Sequence, residues 1–266
     1  MSSQRHFILF RHHALLYGRV PKVANSSIKA SLCRLLREQP QRGLRSTADS
    51  FWRHHTHGET TMLTATEACR LRLSHFCFSF VRNPFDRIVS AYNNKIIENT
   101  ELSAAMIRMG LKHGMNFADF LDCICDTEDG RLDIHLLPQG SILCMNEKPI
   151  PQFIGHLEAM TQHWRVLQQR LRSEGLPSLG KLPSKNVRRQ PGAELTSYFL
   201  SDGMADQFYR RYACDFKVFF PQASPDLLLK GTAAMPEPLQ QRPILRTPCR
   251  WLQPLRNTFT LRRSPF

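Results

Sequence analysis

The 266-residue sequence contains no apolar run near the roughly 18–20 residues that a membrane-spanning helix requires. The longest run near the amino terminus is Phe7-Ile8-Leu9-Phe10, with Arg5, His6, Arg11, His12 and His13 around it, so the h-region of a secretory signal is also missing. Acidic residues are scarce: 22 Asp and Glu against 36 Lys and Arg, a formal charge of +14. That imbalance implies an anionic partner, whether nucleotide, nucleic acid, acidic glycan or membrane surface, and does not choose among them. The eight cysteines include no Cys-x-x-Cys pair, and Cys123-Ile-Cys125 lacks the spacing of a zinc knuckle. Reduced thiols and no bound metal are the expectation. The nucleotide-triphosphatase loop Gly-x-x-x-x-Gly-Lys-Ser/Thr is absent, because Gly18 stands alone and Lys22 follows it too soon. There is no internal repeat.

What is present is organised around Tyr17-Gly18-Arg19-Val20-Pro21-Lys22-Val23-Ala24-Asn25-Ser26-Ser27-Ile28-Lys29. An apolar approach, with a strand expected over Ala14–Val20, breaks into a turn and then a helix expected over Ser26–Arg37. Ser26 or Asn25 is its expected cap, and Ile28, Leu32, Leu35 and Leu36 form one face. A loop of this kind aims an ammonium group, two hydroxyls and unpaired backbone N–H groups at one point, which suits a phosphate or sulfate. Taken alone, Lys22 reads equally well as a solvated loop cation.

A second stretch supplies a counterpart. Phe76-Cys77-Phe78-Ser79-Phe80-Val81 has the continuous apolar character of a central parallel strand covered on both faces. It stops at Arg82-Asn83-Pro84, where Asn83 is an expected cap, Pro84 the first helical residue, and Phe85, Ile88, Val89 and Tyr92 recur at helical spacing. Arg82 therefore falls at the carboxyl end of a strand, where ligands bind in open α/β sheets. Ser90 lies about two turns into the following helix. The spacing predicts further helices at Thr64–Leu73 with Glu67 closing a capping box, Glu98–His113, from Asn116, at Trp164–Arg172 and from Ser201. Ile142-Leu143-Cys144 and Pro151–Gly155 read as strands, and Pro40–Ser50 and Leu176–Gly192 as loops. His54 and His57 could share a metal on a helix, but no carboxylate or Cys stands at a fitting spacing.

Pro-Lys-x-x-x-Ser-Ser at a strand end resembles the 5′-phosphosulfate loop of the sulfotransferases that use 3′-phosphoadenosine 5′-phosphosulfate, most closely the Golgi-type carbohydrate sulfotransferases. Phe-x-Phe-Val-Arg-Asn-Pro-Phe-Asp-Arg-x-x-Ser-Ala-Tyr resembles their 3′-phosphate segment, in which an Arg and a Ser hold that phosphate; by position these are Arg82 and Ser90. The resemblance runs from about Val20 to Phe219 and includes His135-x-x-Pro138-Gln139, Ile154-Gly155-His156-Leu157-Glu158 and Cys214-Asp215-Phe216. It implies an α/β fold like that of the nucleotide-hydrolysing P-loop proteins, with a central parallel sheet flanked by helices. It also implies transfer of a sulfuryl group from that donor to an acceptor hydroxyl, with carbohydrate the expected acceptor. Pro21, Lys22, Val23, Ala24, Asn25, Ser26, Ser27, Arg82, Ser90, Lys185 and Asn186 are then the expected donor contacts. Lys22 steadies the leaving charge, and His135 is the candidate general base, oriented by Asp133 only if the backbone bends; Glu158 is next in line. Golgi relatives often carry disulfides, which leaves Cys125 with Cys144 as an option. They also carry an amino-terminal anchor. Its absence gives the expectation of a soluble cytoplasmic protein, with the Golgi lumen as the alternative if the chain is a fragment.

The expected organisation is a sulfotransferase domain over residues 1–220, then a basic, proline-rich tail over 221–266 that is extended or disordered. Three rivals remain at this point. A nucleotide kinase would need a full phosphate loop and an Mg²⁺ carboxylate; a nucleic-acid-binding protein rests on charge alone; a catalytically degenerate relative would bind nucleotide without turnover.

Overall fold

Strand β4 (Phe76–Val81) runs through the centre with all six residues buried, as its unbroken apolar run predicts for a strand covered on both faces. A computed structural model describes residues 4–40, 43–98, 101–183, 195–234 and 236–241. Six strands form the main sheet: β1 (Phe7–Phe10), β2 (Leu15–Gly18), β3 (Thr60–Leu63), β4, β7 (Phe153–His156) and β8 (Leu239–Gln240), in the order β3-β1-β2-β4-β7-β8. Only β2, β4 and β7 are mutually parallel, with Tyr17 opposite Phe78 and Ser79 opposite Ile154. β1 is antiparallel to β2 and β3, and β8 to β7. The expected parallel sheet is thus the middle of a mixed one. The four-residue link between β1 and β2 is too short for a parallel crossover and closes a hairpin instead. β5 (Cys144–Met145) and β6 (Lys148–Pro149) pair apart from this sheet.

Helices cover the faces: α1 (Asn25–Leu32), α2 (Asp49–His54), α3 (Ala65–Arg70), α4 (Pro84–Tyr92), α5 (Ala104–Arg108), α6 (Phe117–Cys125), α7 (Gln139–Leu143), α8 (Met160–Ser173), α9 (Asp202–Arg211), α10 (Ala213–Phe219) and α11 (Pro225–Leu229). Local start signals hold where they were strongest. Thr64 and Glu67 make both bonds of a capping box, and Asn83, Asn116 and Ser201 each accept a backbone N–H at the start of α4, α6 and α9.

Four expectations need correction. The first helix is α-helical only to Leu32 and ends in a 3₁₀ turn over Cys33–Leu35. Glu98–His113 is not one helix: α4 runs on into a π turn over Asn93–Ile97, Ser103 caps the short α5, and Gly110 at φ 85° ends it. Ile142 and Leu143 close helix α7 rather than forming a strand. The region after residue 220 is not extended throughout, because Leu228 of α11 is buried and β8 adds the last strand of the sheet. Residues 242–266 lie outside the described ones.

Beneath α4, Phe85 packs against Phe199, Phe208 and Phe216 with ring centroids 5.0–5.2 Å apart. This aromatic cluster joins α4 to α9 and α10, and so fixes the helix that follows Arg82 against the carboxyl-terminal part of the domain.

Candidate active site

β2 ends at Gly18, and the chain enters α1 through two left-handed residues, Lys22 at φ 66° and Ala24 at φ 46°. Neither is glycine, so each conformation costs roughly 1–2 kcal/mol. Ala24 occupies the cap position and no side chain caps α1, contrary to the expectation for Ser26 or Asn25. Asn25 is the first helical residue instead, and its Oδ1 accepts a hydrogen bond from the Tyr17 hydroxyl at 3.1 Å. Among the described residues no side chain caps this end of α1, where a helix favours an anion. Ser27 and Val23 are buried, while Lys22, Ala24, Asn25 and Ser26 are half-buried. The Lys22 ammonium donates to Oδ1 of Asn94 in the π turn that continues α4.

Arg82 begins where β4 stops. Its backbone is clamped by Gln139, whose Oε1 accepts from Arg82 N at 2.9 Å and whose Nε2 donates to Arg82 O at 2.8 Å. The guanidinium is turned by Asp86, at 2.7 Å from Nε, and its Nη1 donates to the carbonyl of Lys22 at 3.2 Å. The two stretches singled out in the sequence therefore meet directly. Ser90 is half-buried on α4, one turn beyond Asp86. Asn83 N donates to Glu158 Oε1 at 2.6 Å. Glu158 itself is exposed.

Arg87, which sequence reasoning passed over, ties the loop to the segment after α6. It is only 1% exposed. Its Nε donates to Pro21 O at 3.1 Å, Nη1 to Leu137 O at 2.8 Å and Nη2 to His135 O at 3.3 Å. Burial lowers its pKa and the nearby Asp215 opposes the shift. Asp215 in turn receives the N–H groups of Gln139 at 2.9 Å and Gly140 at 2.6 Å, and burial raises its pKa against the charge of Arg87. A cation on the same buried helical stripe as Ala91 was the available signal, since a buried Arg demands partners.

The chain bends after Asp133, with Leu136 N and Leu137 N both donating to Asp133 O. That bend brings His135 back onto its neighbour: the backbone N at 2.8 Å and ring Nδ1 at 2.7 Å both share Asp133 Oδ1. Ser103 Oγ donates to the other oxygen at 2.5 Å. Burial works against ionisation of Asp133, yet the hydrogen bond and charge of His135, with help from Ser103, hold its pKa down at about 2. The His135 side chain remains 33% exposed.

Lys185 and Asn186 lie outside the described residues. The seven described cysteines are free. Cys144 shares a hydrogen bond with Cys214, which raises its pKa, and makes no disulfide with Cys125. Among the described residues, no helix is long and apolar enough to cross a membrane, and no group of three or more His, Cys, Asp or Glu could hold a metal.

The carboxyl ends of the central strands β2 and β4 thus gather an uncapped helix start, an ammonium, a guanidinium and a carboxylate-oriented imidazole, a set able to hold a doubly anionic ligand beside a proton acceptor. Carbohydrate sulfotransferase 14 of Danio rerio is 26% identical over 236 residues, covering 81% of this chain and 62% of its own length. Carbohydrate sulfotransferase 10 of Homo sapiens is 25% identical over 246 residues, covering 82% and 67%. The chain spans less than two thirds of the first of these relatives. No solved structure matches it significantly. The family model described as the sulfotransferase family matches residues 5–221, which takes in β1 through α10 and every described residue of the site, so the chain belongs to the sulfotransferase family.

Proposed function

We propose that this protein transfers a sulfuryl group from 3′-phosphoadenosine 5′-phosphosulfate to a hydroxyl of a carbohydrate acceptor. The observation that carries the reading is the hydrogen bond from Arg82 Nη1 to Lys22 O, which makes one site of two anion-binding stretches. A nucleotide bearing phosphate at both ends of its ribose needs two such stretches side by side, and the open start of α1 fits the 5′ end. When bound, the donor supplies an activated sulfuryl group and a phosphate leaving group.

This chain's own residues supply position and charge. Lys22 neutralises the charge that develops on the departing bridge oxygen, and the Ser26 and Ser27 hydroxyls and the amide groups of 21–27 surround the same phosphate. Arg82 and Ser90 hold the 3′-phosphate, with Lys185 and Asn186 as further donor contacts. His135 takes the acceptor proton. Because Nδ1 is committed to Asp133, Nε2 is the nitrogen left with a lone pair for that proton. A carbohydrate acceptor is supported by the two relatives, both named as carbohydrate sulfotransferases.

The test is incubation with 3′-phosphoadenosine 5′-[³⁵S]phosphosulfate and a panel of glycans, small alcohols and peptides. Label recovered on a glycan is the expected result. Absence of transfer to every member, together with no binding of adenosine 3′,5′-bisphosphate by calorimetry, overturns the reading.

A further inference from the structure

Behind the Arg82 clamp, two segments distant in the chain are pinned together: α7 with the β5–β6 hairpin that follows it, and α10. Asp215 of α10 accepts the N–H groups of Gln139 and Gly140 at 2.9 and 2.6 Å. Lys217 Nζ donates to Glu147 Oε2 at 2.6 Å. The thiols of Cys144 and Cys214 hydrogen-bond each other. The thiol pair and the ion pair are in step. Glu147 follows Cys144 by three residues and Lys217 follows Cys214 by three, so both rungs join the hairpin to one face of α10. The exposed ion pair adds little energy, but it fixes which residues of the two segments face each other.

Gly140 is what lets the sulfur in: a Cβ at that position would stand 2.5 Å from Cys214 Sγ. Both thiols are half-buried, whereas Cys33 and Cys77 are buried, so a small reagent reaches this pair. The two are also unequal. The hydrogen bond from Cys144 draws the Cys214 thiol below its usual range, with help from Lys217, and the same bond together with burial pushes Cys144 up.

We infer that Cys144 and Cys214 are a dithiol–disulfide couple, a covalent latch between the β5–β6 hairpin and α10 that closes by exchange with a small disulfide such as glutathione disulfide. The Cys214 thiolate attacks one sulfur of the reagent and releases one glutathione thiolate. Cys144 then loses its proton to solvent and displaces the second glutathione from Cys214. Two protein thiols are oxidised and one reagent disulfide is reduced to two thiols. The closed latch spans a loop of about 70 residues, long enough for a cross-link to stabilise the folded chain. It also braces the Arg82 clamp, because Asp215, beside Cys214, holds the amides of Gln139 and Gly140, and Gln139 holds Arg82. None of this rests on the proposed transfer.

The experiment equilibrates the full chain with glutathione and glutathione disulfide at graded ratios, alkylates the remaining thiols and maps cross-linked peptides by mass spectrometry. The expected product is a Cys144–Cys214 peptide pair, with the thiol count falling by two from eight. Tm should rise by about 5–10 °C with it, and dithiothreitol should reverse both changes. In Cys144→Ser the exchange stops at a glutathione adduct on Cys214, in Cys214→Ser the Cys144 thiol stays free, and neither variant shows the rise. Cys125→Ser keeps the cross-link and the rise. Absence of the Cys144–Cys214 peptide at every ratio, Cys144 joined to another cysteine, a cross-link with unchanged Tm, or a rise that survives Cys144→Ser overturns the inference. The peptide map of the parental chain decides the pairing even where a Ser variant fails to fold.

Discussion

Asp133 Oδ1 accepts from His135 twice, at 2.8 Å from the backbone N–H and at 2.7 Å from ring Nδ1. The main-chain bond sets the turn and the ring bond sets the tautomer, so one oxygen fixes both where the imidazole is and which nitrogen faces outward. His135→Ala should lower turnover by about 10²-fold or more with nucleotide affinity near the parental value. A folded variant that keeps most of its turnover moves the role elsewhere, to Glu158 first.

The same carboxylate makes a separate, purely thermodynamic forecast. Its folded pKa, about 2, lies below the 3.8 of a free aspartate, so it adds stability that is fully present above the unfolded pKa and is lost as pH falls through the folded one. The shift corresponds to about 2 kcal/mol. Asp133→Asn should therefore cost on that order at neutral pH in urea unfolding, with parent and variant converging near pH 2. A gap that persists undiminished into acid would assign the cost to packing instead.

Lys22 separates stability from activity. Because its φ of 66° is left-handed, Lys22→Gly should be more stable than Lys22→Ala by about 1 kcal/mol. Both should lose transfer, since neither carries the ammonium proposed to meet the leaving charge. Turnover at the parental rate in either folded variant contradicts the assignment, and a Gly variant less stable than Ala contradicts the backbone argument.

For Arg82→Ala, affinity for the donor should fall more than turnover, because the proposed contact to the 3′-phosphate is one made both before and during transfer. Discrimination against adenosine 5′-phosphosulfate, which lacks that phosphate, should shrink in parallel. Equal affinities of parent and variant for both nucleotides would remove Arg82 from the site.

The strand-to-helix passage at Asn83-Pro84 was legible because everything that specifies it is local: an apolar run, a cap two residues from the N–H it accepts, and a proline with no N–H to lose. The α1 start was misread for the opposite reason. Lys22 and Ala24 are poor left-handed residues, so nothing in their identity announces the turn that they make. β1 escaped notice as a strand because four residues give too little alternation to count. Arg87, Gln139 and Asp215 act across separations of 48 to 76 residues, and no periodicity reports contacts of that range. His135 fell between: its motif could be read, but the bend that lets Asp133 reach it is visible only in three dimensions.

The carboxyl boundary is a matter of how much sheet is left behind. A cut near Phe220, which the proline-rich composition suggested would spare the domain, removes buried Leu228, the bond from Asn83 Nδ2 to Leu228 O at 2.8 Å, and the β8 edge of the sheet. Truncation there should cost about 3 kcal/mol or more. A cut after Gln241 should leave the urea midpoint near that of the full chain. Identical midpoints for the two truncations would show that α11 and β8 contribute nothing.

One planar guanidinium, that of Arg87, holds Pro21 on one side and His135 and Leu137 on the other. A shift of the Pro21 loop must therefore carry the backbone of His135 with it or break a buried hydrogen bond. On the proposed reading the two halves of the site are coupled through that guanidinium, and because linkage is reciprocal, whatever donor binding does to acceptor affinity the acceptor returns in equal measure.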